Sequence, residues 1–306
     1  GGPLPNMIFL QATLSLALAP GSTVTVVGAS GNVGKLVALR LADTYKVRGV
    51  VREAARVKGF LPPDRVELFE ANLCTHDAAK SLEPALRNAH AVVVCTGTTA
   101  FPTQAWSQSG ERSVLRPALE ALLNNNFNVR NAIGTLDENG YNTPKNVDEL
   151  GTLSVLQAWR AASSVRKRFV LMSSIGVARR TEMPFPILNA CGVLNAKAAA
   201  EAALRADAAD DNYDYTIVRP GQLFGGPYDN NFYLGTLFQL DKDAATQDVQ
   251  VARGDSLLGD TLRSTLAEVI AQIVETDSGL NTDFSVVNQE GTPPQVAQLR
   301  DRLARL

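Results

Sequence analysis

The sequence predicts an α/β protein built on a doubly wound parallel sheet, with a small C-terminal lobe. Three observations carry this: a β-branched run that stops at a glycine, a regular alternation of strand-like and helix-like segments, and strands that are apolar without interruption. With 306 residues, 45% of them apolar and 20% charged, the chain is long enough to bury a full core of this type. Thr23 to Gly28 (TVTVVG) reads as the first strand, and Lys35 to Ala42 (KLVALRLA) repeats apolar residues at helical spacing. Strands follow at Val47 to Val51, Val66 to Glu70 and Ala91 to Cys95, with a helix at Asp77 to Asn88 between the last two. Such alternation implies parallel strands joined by right-handed crossovers. The VVVC run at Val92 to Cys95 suits a strand buried on both faces.

After Thr96 the rhythm breaks. Pro102 to Tyr141 holds a helical-looking stretch, Ser113 to Leu123 (SVLRPALEALL), followed by an asparagine-rich run, Asn124 to Asn131 (NNNFNVRN). We read an insertion at about 107–141, because unstructured loops longer than roughly 15 residues are uncommon in compact domains and usually carry function or disorder. Regularity returns with a helix at Val147 to Ala162, a fifth strand at Arg168 to Ser173, a helix at Leu194 to Ala208 and a sixth strand at Tyr215 to Val218. Beyond Pro220, strands at Val249 to Ala252 and Phe284 to Val287 flank a helix at Leu262 to Glu275. The chain thus divides into an apolar arm (1–21), a doubly wound domain (22–220) and a small lobe interleaved with it (221–306), where substrate is expected.

Composition excludes several classes of function. A formal charge of -2, with no Lys/Arg cluster interleaved with aromatics, argues against nucleic acid as a partner. Cys74, Cys95 and Cys191 lie far apart beside apolar stretches and read as buried reduced thiols; with only His76 and His90 besides, no metal-ligand spacing is formed. The apolar run Met7 to Ala19 falls short of the about 20 residues that span a bilayer. It reads as an arm packed on the domain or on a partner, with contact at a membrane surface as the alternative. The absence of an initial methionine and of a basic leader suits a chain that has lost a targeting segment or a tag.

Gly28-Ala29-Ser30-Gly31-Asn32-Val33-Gly34 places three glycines between the first strand and the first helix. There a bare backbone can approach a pyrophosphate and a helix N-terminus offers free N–H donors, with Ser30 and Asn32 as further donors. The alternative is a nucleotide fold that no longer binds. An acid at the end of the second strand would favour NAD, but Val51 is followed by Arg52, with Arg56 and Lys58 nearby. A guanidinium suits a 2′-phosphate, so NADP(H) is the expected cofactor, with Glu53 as the competing ribose acid.

Joined to RFVLMSSIGV (Arg168 to Val177) and YTIVRPG (Tyr215 to Gly221), these features resemble the atypical short-chain dehydrogenase/reductases, the NmrA-like and plastid NAD(P)-binding group with a Rossmann fold. The forms Phe185-Pro186-Ile187-Leu188-Asn189, Gly192-Val193-Leu194, Lys197, Glu201 and Gly225-Gly226-Pro227-Tyr228 are similar to those of plant and algal chloroplast members. The likeness runs from about residue 22 to 292, outside the insertion, and implies a chloroplast or other organellar location.

The resemblance implies roles position by position. Asn72 and Leu73 would lie at the adenine, and Thr96, Gly97 and Thr98 along the cofactor. Pro220 and Gly221 would border the nicotinamide. Ser174 stands at the place of the catalytic serine, and Lys197 at that of the lysine that binds the nicotinamide ribose. The family tyrosine belongs four residues before that lysine, where this chain has Val193. Valine cannot deliver the proton that accompanies hydride transfer. Beside loss of nucleotide binding altogether, two readings stand open. One is an NADPH-dependent reductase of a small carbonyl or olefinic substrate, with Lys197 and Ser174 as acid/base groups. The other is a non-catalytic NADP(H)-binding subunit of an organellar membrane complex, docked through the arm and the insertion. Tyr213, Tyr215 and Tyr228 are candidates to replace the missing phenol, the first two better explained by packing. Arg179 and Arg180 either meet an anionic substrate or are solvated.

Overall fold

The computed structural model describes residues 17–57, 59–109, 113–225 and 245–306. Strand β1 (Thr23–Val27) sits inside the sheet because its alternate side chains enter two apolar layers. Val24 and Val26 face the layer of α1 (Gly34–Leu41), and Val27 faces that of α2 (Ala78–Leu86). Buried Thr25 is tolerated because its hydroxyl donates to the Ala85 carbonyl at 2.7 Å. On one side of β1 lie β2 (Lys46–Val51) and β3 (Val66–Glu70); on the other lie β4 (Ala91–Val94), β5 (Arg168–Met172) and β6 (Asp214–Pro220). All these pairs are parallel, and the strand order reverses between β1 and β4, as in a doubly wound sheet.

The sheet is larger than the six strands expected. After the short β7 (Gln222–Phe224) the chain returns as β8 (Asp248–Arg253), β9 (Asp260–Leu262) and β10 (Thr282–Gln289). Strand β10 pairs in parallel with β6, β8 closes the edge antiparallel to β10, and β7 with β9 forms a two-stranded ribbon. Between β9 and β10, α8 (Arg263–Glu275) packs on α1, burying Leu266, Val269, Ile270, Ile273 and Val274 from one helical stripe. The C-terminal α9 (Val296–Ala304) adds Leu299 and Leu303 to the same cluster.

The insertion is a helical hairpin. Its first helix, α3 (Leu115–Asn124), matches the expectation, but the asparagine-rich run does not continue as loop: it turns the chain and starts α4 (Val129–Glu138). Asn126 and Phe127 take left-handed backbone angles at the turn, and the Asn128 side chain caps α4 by accepting the Asn131 N–H at 3.1 Å. Trp106, Val114, Ala121, Ala132 and Leu136 form a core of its own, into which Cys191 also packs. The helix α5 (Gly151–Ala162) is preceded by one π-helical turn, Lys145–Leu150, and the short α6 (Phe185–Leu188) follows β5.

Residues 1–16 of the expected arm lie outside the described residues; Leu18 is buried, its carbonyl 3.5 Å from the Tyr45 hydroxyl. Among the described residues no helix is long and apolar enough to cross a membrane. The three thiols are free, and burial pushes Cys74 up to about 11 and Cys95 up to about 12.

Candidate functional site

The glycine loop joins the C-terminal end of β1 to α1 at the point where the sheet order reverses. Gly28 has φ +81°, and a Cβ there would lie 2.7 Å from Thr96 Cγ2 and 3.0 Å from the Thr96 amide, so the turn needs glycine to pass β4. Gly34 packs the first turn of α1 on the loop: its Cβ would come 2.1 Å from the Gly28 carbonyl oxygen. Ser30 and Gly31 stand exposed at the tip. Val33 stands at the N-cap of α1 without a side-chain cap hydrogen bond, and the Gly31 and Lys35 amides donate to the Gly28 and Gly31 carbonyls at 3.0 and 3.1 Å. A helix terminus behind a glycine turn is a place where backbone N–H groups can receive an anion.

On the β2–β3 side, Arg52 is exposed just past β2 and donates to the Gln108 carbonyl at 3.2 Å; among the described residues it has no carboxylate partner. Glu53 pairs with Arg56 at 2.6 Å. Asn72 and Leu73 follow β3, where the Asn72 side chain accepts the Cys74 N–H at 3.0 Å and Leu73 rests against Gly151. Lys58 lies outside the described residues.

On the β4–β5 side the structure brings together residues that the sequence leaves far apart. Helix α7 (Val193–Asp211) carries Lys197 on its buried stripe with Ala200, Glu201 and Leu204. Its Nζ donates to Asp148 Oδ1 at 2.7 Å, and Asp148 Oδ2 accepts the Thr98 N–H at 3.3 Å. Both lie beneath Gly97, whose Cβ would stand 3.5 Å from each. Burial pushes the Asp148 carboxyl above the ordinary carboxylate range, against the charge and hydrogen bond of Lys197. A cavity of about 10 Å³, room for one water, lies between Thr96, Asp148, Thr152, Ser173 and Lys197. The buried Thr96 Oγ1 that faces this group has no hydrogen-bond partner among the described residues.

The two serines after β5 separate. Ser174 donates to the Ile175 carbonyl at 3.0 Å, whereas Ser173 is buried and donates to Glu201 Oε1 at 2.6 Å. Glu201 also accepts Arg219 Nε at 2.9 Å and its NH2 at 2.6 Å, while Arg219 pairs with Asp283 as well. Pro220 ends β6. Gly221 abuts the C-terminal segment so closely that its Cβ would lie 2.0 Å from the Gly259 carbonyl oxygen. Val193 is buried with Val177, Phe185 and Leu194, so the first turn of α7 presents no phenol.

Arg179 is 21% exposed and pairs at 3.1 Å with buried Asp255, which also accepts the Gly176 and Ala178 amides, and it stacks on Phe185. Tyr213 and Tyr215 lie at the start of β6, the opposite end of the sheet from the loop, and Tyr213 donates to Asp207 at 2.7 Å. Tyr228 lies outside the described residues. Asp148, Ser173 and Asp255 were not singled out by sequence. The available signal for Asp148 was a charge on an apolar helical stripe, four residues before Thr152 and seven before Val155.

Comparison with protein families finds one match, the family described as NAD(P)H-binding, over residues 28–277. No curated protein matches the chain. Among solved structures, a Bacillus halodurans protein described as an NAD-dependent epimerase/dehydratase aligns with TM-score 0.59 at 21% identity, covering 92% of this chain and 100% of that one. ChuY, an anaerobillin reductase from Escherichia coli O157:H7, aligns with TM-score 0.56 at 18% identity over 89% of this chain and 100% of its own. A short-chain dehydrogenase/reductase from Veillonella parvula, solved in complex with NADP, aligns with TM-score 0.51 at 17% identity over 90% and 99%.

Proposed function

We propose that this chain, which belongs to the NAD(P)H-binding family, binds NADP(H) and serves as a reductase of a small carbonyl or olefinic substrate that needs no phenol as acid. The observation that carries the reading is the buried Lys197 amine beneath Gly97, on the β4–β5 half of the cleft, with the glycine cradle on the other side of Thr96. In a doubly wound sheet the two nucleotide halves lie on either side of the switch point. The residues fit that group: the cradle offers backbone donors to the pyrophosphate, and Arg52 offers a fork to a 2′-phosphate. Thr96 Oγ1 is a buried polar atom left for a ligand or a water. When bound, the nucleotide supplies the hydride. Lys197 is the cation at that end and the nearest titratable donor; Ser174 is the hydroxyl at the end of β5.

Preference for NADP(H) over NAD(H) rests on Arg52, which has no carboxylate partner among the described residues, while Glu53 is held by Arg56. NADPH is expected to raise the Tm more than NADH does, and Arg52→Asp is expected to shrink that difference. Equal shifts with the native chain would remove the preference.

A second reading is favoured by the hairpin. Leu115, Leu119 and Leu123, 69%, 55% and 51% exposed, repeat every four residues along α3, and Phe127 at the tip is 67% exposed. Singly exposed apolar residues are ordinary, but a row of this kind marks a contact surface. In this reading the chain is an NADP(H)-binding subunit of an organellar membrane complex. The protein from its source would then co-migrate with a large assembly, and replacing the three leucines by serine would release it without changing its response to NADPH. A free monomer that oxidises NADPH with a substrate decides for the reductase.

A further inference from the structure

We infer that Asp148 is a positioning and charge-balancing residue: it fixes Lys197 against the loop after β4 and makes the nicotinamide half of the cleft electrically neutral, so that oxidised and reduced nucleotide are held with similar affinity. This rests on the NADP(H) reading above. Three observations support it. The carboxylate is bound at both oxygens, by Lys197 Nζ at 2.7 Å and by the Thr98 N–H at 3.3 Å, so it links α7 to the strand end that walls the cleft. It is supplied from a π-helical turn, Lys145–Leu150, and such turns in α-helices occur frequently at functional sites. Both side chains are nearly removed from solvent, 11% exposed for Lys197 and 2% for Asp148, so their charges are poorly screened.

The consequence follows from the chemistry of the nicotinamide. The oxidised ring carries a positive charge and the reduced ring none. A lone buried ammonium beside it would repel the oxidised form selectively. The Lys197–Asp148 pair carries no net charge, whichever partner holds the shared proton.

The test is calorimetric titration of the full chain with NADP+ and with NADPH, at mildly acidic pH where an unpaired lysine keeps its proton. In Asp148→Asn the ratio of the two Kd values is expected to move at least about tenfold towards NADPH, the scale of one unit charge acting across about 12 Å or less at an effective dielectric constant of about 20. Lys197→Met is expected to move it the other way when titrated at alkaline pH, where a buried carboxyl that has lost its cation is ionised, and the double variant to return it to the native ratio at either pH. If Asp148→Asn does not fold, Lys197→Met decides alone. Equal weakening of both nucleotides in the single variants would show a merely structural role and overturn the inference, as would an unmoved ratio. Native protein that takes up neither nucleotide would remove the NADP(H) reading itself, which is a different failure.

Discussion

Replacing Arg219 by methionine is expected to destabilise the fold by about 3–5 kcal/mol, because it leaves a buried carboxylate without its main counter-ion. Glu201 and Arg219 are 2% and 4% exposed and meet through two hydrogen bonds, at 2.9 and 2.6 Å. Burial alone would lower the pKa of Arg219; the hydrogen bonds and charge of Glu201, helped by the charges of Asp283 and Asp255, reverse that and hold it raised. The pair also fixes α7 to β5 through Ser173, one helical turn from Lys197. In the double variant Arg219→Met/Glu201→Leu no buried charge is orphaned, and most of the stability should return. Urea titration of the two variants checks this. A single variant that loses less than about 1 kcal/mol would show that Arg205, already 3.2 Å from Glu201, or water takes the place of the guanidinium.

The parts of this molecule that were legible in the sequence are those whose determinants are local. Strand β1, the glycine turn and α1 are neighbours in the chain, and a β-branched run, three glycines and a helical stripe mark them without reference to anything distant. The strands of the C-terminal segment were placed for the same reason, but their membership of the central sheet was not. Pairing of β10 with β6 joins residues separated by more than sixty positions, such as Phe284 with Val218. Helix α4 was hidden because asparagine is a poor residue for a helix interior, and its use here, as turn and N-cap, looks in sequence like a loop.

The candidate site divides in the same way. Its phosphate half is a contiguous motif. Its other half is assembled from α5's leading turn, β4, β5 and α7, and depends on charged residues that helical spacing alone assigns to the core. Asp148, Lys197 and Glu201 all break the apolar pattern of the stripes they occupy, and each is matched by a partner contributed by another element. A charge on a buried stripe is therefore the transferable signal, since such a residue must find a counter-charge or a ligand. Arg179 shows the limit of that rule: its partner Asp255 lies 76 residues away, in a segment with no pattern to announce it.

Gly34→Ala is expected to abolish the rise in Tm that NADPH produces. The added methyl would sit 2.1 Å from the Gly28 carbonyl oxygen, 2.9 Å from its carbon and 3.2 Å from the Ala29 Cα, all backbone atoms that cannot swing away. Relief requires the helix terminus to leave the loop, and that separation dismantles the row of N–H donors on which a pyrophosphate would rest. Overpacking of this kind also costs stability, about 1–3 kcal/mol. Gly291→Ala provides the control: with φ +138° and a Cβ that would lie 2.9 Å from Asp248 Cβ, it strains the β8–β10 edge of the sheet rather than the phosphate loop. It should lower stability to a similar degree yet keep a measurable response to NADPH. Thermal scans of both variants with and without nucleotide separate the two effects. A Gly34→Ala protein that retains the native response would mean that the loop and helix can part without losing the nucleotide, and the cradle would then have to be sought elsewhere.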